Sequence, residues 1–90
     1  MSNLDEVTKE VREELWKATN IYGPFASAHE GYAIILEEVD ELKTEVWKSP
    51  KTRCVPRMRE EAIQIAAMAM RFVVDICDKN PVINLNANDL

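Results

Sequence analysis

At 90 residues the chain has room for one small domain, whose modest buried fraction leaves it close to the margin of independent stability. A 47% apolar composition with only two Gly suits a helical protein and argues against both a disordered chain and a turn-rich β architecture. The formal charge of -5 excludes a nucleic acid polymer as main partner, because phosphate-backbone binders present a net basic face.

The first helix is predicted over about 3–20, where Leu4, Val7, Val11, Leu15 and Ala18 recur at helical spacing behind an Asn3/Glu6 capping box. Gly23-Pro24 breaks the chain. Ser27 and Glu30 form a second capping box, and a second helix is predicted from there to about Lys48, ahead of Pro50. Pro56 suits the first turn of a third helix, which stays apolar to about Cys77 and ends before Asn80-Pro81. The chain thus divides into one helical domain over 1–80 and a polar, amide-rich tail over 81–90.

At about 100° per residue, Ala28, Tyr32, Ile35, Val39, Leu42 and Val46 share one side of the second helix, opposite an acidic face. The third helix is apolar around most of its circumference, from Ile63 through Ile76. Two helices of one chain can hardly cover it. The fold class expected is all-α: a three-helix protomer that assembles through its second and third helices into a four-helix-bundle core, as a homodimer or homotetramer.

Cys54 and Cys77 belong to no paired motif, which fits reduced thiols and a cytoplasmic protein. No membrane association is expected, since Arg71 and Asp75 interrupt the longest apolar stretch. The aromatics Trp16, Tyr22, Phe25, Tyr32 and Trp47 read mainly as packing residues with wet polar tips.

The chemistry-bearing feature is acidic. Glu37, Glu38 and Glu41 fall on one broad face of the second helix, with no basic residue four positions beyond any of them. Glu61 and Gln64 face one way from the third helix, and a carboxylate opening an apolar helix needs a partner. With the two helices antiparallel across the connection from 49 to 56, Glu41 and Glu61 fall at comparable heights, so four carboxylates can converge on one cation. Such oxygen donors suit Mg²⁺, whose shell is often completed by waters and substrate phosphates. Lys51, Arg53, Arg57 and Arg59 crowd the connection and the start of the third helix, where they can hold the outer phosphates of a ligand. Against this, E-E-x-x-E also arises on ordinary solvated helix faces, and a basic loop also pairs with nearby acids such as Glu45 and Glu60.

The order E-E-x-x-E at Glu37–Glu41, followed after about twenty residues by E-x-x-Q at Glu61–Gln64, resembles the signature of the MazG-like all-α nucleotide pyrophosphohydrolases. The likeness runs from about Ser27 to Asp75. It implies that Glu37, Glu38, Glu41 and Glu61 ligate Mg²⁺, with Mn²⁺ as a substitute, and that Glu38 or Glu41 orients or deprotonates the attacking water. It also implies cleavage of a nucleoside triphosphate to monophosphate and pyrophosphate. Gln64 stands where that family has Asp, a neutral amide that should weaken metal binding. The competing expectation is a catalytically silent bundle that keeps the fold for oligomerisation or partner binding.

Overall fold

A computed structural model describes residues 2–79, so the tail expected over 81–90 lies outside the described residues. Three α-helices follow one another: α1 over Ser2–Tyr22, α2 over Ala28–Val46 and α3 over Val55–Phe72, with a π-helical turn at Val73–Cys77. No strand occurs among the described residues. No helix among them is long and apolar enough to cross a membrane.

Local chemistry sets most of these boundaries. α1 ends where Gly23 takes φ +74°, the left-handed conformation that costs a side-chain-bearing residue energy, and its amide donates to the Thr19 carbonyl at 2.8 Å. Pro24 follows and cannot continue the helix. At the start of α2 the Ser27 hydroxyl accepts from the Glu30 amide at 3.1 Å. The Glu30 carboxylate reaches back one residue further than a standard capping box, to the Ala26 amide at 2.8 Å. Pro56 occupies the first turn of α3. One expectation is corrected: Asn3 is already inside α1, so it does not cap it. The third helical stretch does reach Cys77, but it changes from α to π winding after Phe72. There the Val73 carbonyl accepts from the Asp78 amide, the wider spacing of a π turn.

α3 is the central rod, packed against α2 on one side and α1 on the other. Val11 and Ala18 of α1, Phe25 of the first connection, and Ala67 and Met68 of α3 form the buried core, flanked by Leu15, Ile34, Ile35, Ile63 and Phe72. Gly31 lets α2 approach closely, since a Cβ there would stand 2.7 Å from the Phe72 ring and 3.0 Å from the Phe25 ring.

Arg71 fastens the top of this arrangement. It is 3% exposed, donates to the Gly23 carbonyl at 2.6 Å and to the Met68 sulfur at 3.3 Å, and stacks 4.2 Å above the Phe25 ring. Asp75, 4.0 Å from its Nε, accepts the Phe25 amide at 3.0 Å. The pair therefore holds the α1–α2 connection to the end of α3. At the lower end, both guanidinium nitrogens of Arg59 donate to the Glu10 carboxylate, one of them at 2.7 Å. That contact ties α1 to α3 and holds the Glu10 carboxyl below its usual range.

A large apolar surface stays uncovered in the single chain. Tyr32, Leu36 and Val39 are exposed at i, i+4 and i+7 on α2. Val55, Ala62 and Ala69 are exposed along one line of α3, and Val73 is exposed at the start of the π-helical turn that follows. The three helices of one chain thus leave part of the apolar surface of α3 bare.

Candidate functional site

Glu38 and Glu41 lie one turn apart on α2, and Glu61 lies near the start of α3, which runs back alongside it. One carboxylate oxygen from each lies within 4.8 Å of the others. Glu38 and Glu61 are half-buried and Glu41 is exposed, so the cluster sits at the mouth of the α2–α3 seam. Glu38 Oε2 and Glu61 Oε2 are shut off from water and meet no hydrogen-bond donor. Oxygens so placed need a proton or a cation.

The electrostatics show the same strain. Desolvation raises the Glu61 carboxyl, and the neighbouring Glu41 and Glu38 raise it further, to about 7. Glu38 is also pushed up, first by desolvation and then by the negative charge of Glu41, although a proton held on the neighbouring Glu61 would act the other way. Near neutral pH the metal-free cluster therefore shares a proton between Glu61 and Glu38. A divalent ion would displace that proton, and an acidic ring with two donor-less oxygens fits a hard cation.

Beside the cluster opens a cleft of about 590 Å³. Its walls are the second half of α1, including Glu14, Lys17 and Ile21, and the face of α2 that carries Ile34, Glu37 and Glu38. Gln64, Met68 and Arg71 form the floor, at i, i+4 and i+7 on α3. Glu38 thus faces both the acidic cluster and the cleft. Glu37 is exposed on the cleft wall, and Gln64 is half-buried beneath it.

The basic residues expected to hold phosphates, Lys51, Arg53 and Arg57, do not line this cleft. Arg53 donates to the Val46 carbonyl at 2.7 Å and the Lys48 carbonyl at 3.3 Å, which closes the C-terminal end of α2. Lys51 and Arg57 are exposed on the connection and the first turn of α3, below the acids, and neither lines the cleft. Among the described residues the cations that do line it are Lys17 and Arg71. Sequence reasoning missed Lys17 because it sits in α1, far from both motifs, with only helical spacing from Val11 and Ala18 to place it.

Comparison of the chain with known protein families, with curated proteins and with solved structures finds no match.

Proposed function

We propose that this protein is a Mg²⁺-dependent nucleoside triphosphate pyrophosphohydrolase of the MazG-like type, with Mn²⁺ able to replace Mg²⁺. The observation that carries the reading is the convergence of Glu38, Glu41 and Glu61 at the edge of a cleft. In this reading those three side chains hold the cation, and Glu37 and Gln64 complete its surroundings from the cleft side. A divalent cation held there would supply charge stabilisation to the phosphates of a bound triphosphate. A water oriented or deprotonated by Glu38 or Glu41 attacks phosphorus. The bond between the α and β phosphates breaks, pyrophosphate leaves with the bonding electrons, and the water proton passes to the carboxylate.

The bare apolar faces of α2 and α3 support assembly into a homodimer or homotetramer with a four-helix core. They also support the second reading, a catalytically silent oligomerisation module in which Gln64 marks a lost ligand. The two separate in one assay: pure protein with a panel of triphosphates, with and without Mg²⁺. Metal-dependent pyrophosphate release that Glu38→Gln abolishes, with helical circular dichroism unchanged, is the expected result. No release from any triphosphate in the panel would remove the enzyme reading.

A further inference from the structure

Lys17 stands on the α1 wall of the cleft, across from Glu37, Glu38 and Gln64. Two long-range contacts fix its height. Arg59 with Glu10 and Asp75 with Phe25 are separated by 49 and 50 positions, so α1 runs beside α3 in the same direction and Lys17 comes level with Ala66 and Ala67. That is five to six residues beyond Glu61, or about 8 Å along the axis. An extended polyphosphate gripped at one end by a cation on the acids would bring its next phosphate toward this level. The four-carbon stem of a lysine gives its ammonium the reach to meet it.

Lys17 is also uncommitted. Glu13 and Glu14, one turn before it, are the usual partners for a lysine on a helix surface. Yet Lys17 makes no ion pair with any described residue. Arg71, the other cation that lines the cleft, is engaged by Gly23 and Asp75. Arg71 is moreover buried beneath the cleft rather than projecting into it.

We infer that Lys17 is the phosphate-binding residue of the cleft, pairing with an outer phosphate of a metal-bound polyphosphate. The inference rests on the metal-dependent phosphate chemistry proposed above, and it assigns the grip to α1 rather than to the basic connection of Lys51, Arg53 and Arg57. Mg²⁺ neutralises part of the polyphosphate charge, and a lysine across the cleft supplies a charge-assisted hydrogen bond to what remains.

The test is calorimetric titration of the full chain with Mn²⁺ alone, then with inorganic pyrophosphate in saturating Mg²⁺, for wild type, Lys17→Ala, Lys17→Arg and Lys51→Ala. Lys17→Ala should weaken pyrophosphate binding about 10- to 100-fold, as loss of a hydrogen bond to a charged group does. Mn²⁺ affinity should stay within about twofold, because a lysine ligates no metal. Lys17→Arg should restore most of the pyrophosphate affinity, and Lys51→Ala should match wild type. The assignment is overturned if Lys17→Ala binds pyrophosphate as wild type does, if Lys51→Ala is the variant that loses it, or if wild type takes up Mn²⁺ but no pyrophosphate. A fall in melting temperature of Lys17→Ala together with lost Mn²⁺ binding would make the residue structural and likewise overturn it. Wild type that binds no Mn²⁺ defeats the underlying metal reading itself.

Discussion

The protonated state of Glu61 makes a thermodynamic prediction that needs neither substrate nor assay of turnover. Its carboxyl titrates near 7 in the folded protein against 4.5 when unperturbed. A group raised in this way contributes its full stability below the unfolded value, and that contribution is lost as pH climbs through the folded value. Metal-free protein should therefore weaken between about pH 4.5 and pH 7 and level off above. Two and a half pH units correspond to about 3.4 kcal/mol for a fully shielded group. Glu61 is only half-buried and Glu41 beside it is exposed, so solvent screening cuts this to roughly 1–2 kcal/mol. For a domain of this size 1 kcal/mol moves the melting temperature by about 4–8 °C. Glu61→Gln keeps the shape without the charge and should flatten the profile, so that the variant melts higher than wild type at pH 8 and close to it at pH 4.5. Thermal melts by circular dichroism across this range, in chelator, give the comparison. Added Mg²⁺ should recover the loss in wild type and do little in the variant, because a ligand that binds only the folded state stabilises it. Parallel pH profiles for the two proteins would refute the reasoning, since they would mean that Glu61 is ionised and solvated throughout.

Gln64→Asp adds a carboxylate on the cleft floor beside Glu38 and should tighten Mn²⁺ binding about tenfold in calorimetry; an unchanged affinity would place residue 64 outside the metal's surroundings. Arg71→Met removes the guanidinium from the Gly23 carbonyl and leaves the Asp75 carboxylate, 6% exposed, with the Phe25 amide alone. Breaking a buried pair in this way should cost about 2–4 kcal/mol and lower the melting temperature by more than about 10 °C. Arg71→Met with Asp75→Asn should recover part of that loss, and a pair of variants whose effects simply add would show that the two side chains act independently.

The periodicity of apolar residues determined that the chain is helical, and single residues determined where the helices begin and end: Gly23 by its left-handed backbone, Ser27 by its hydroxyl, Pro56 by its missing amide. These are local effects, decided within a turn of the residue concerned. The spacing of Glu37, Glu38 and Glu41 likewise fixed a shared helix face. Which acids of α2 meet Glu61 was not local. Glu38 and Glu41 close on it while Glu37 turns to the cleft, because the rotation of α2 is set by Gly31 nesting against Phe25 and Phe72. Arg59 reads in the sequence as part of a basic cluster beside Glu60, but the packing of α1 on α3 brings it to Glu10, 49 positions away. Asp75, which adjacency in sequence would leave as a stray charge in an apolar helix, becomes the acceptor that holds the first connection. Lys17 enters the cleft only through that same α1–α3 register. Spacing along a helix follows from 3.6 residues per turn, whereas the register between helices is chosen by side chains interlocking across the core, and no single stretch of sequence contains that choice.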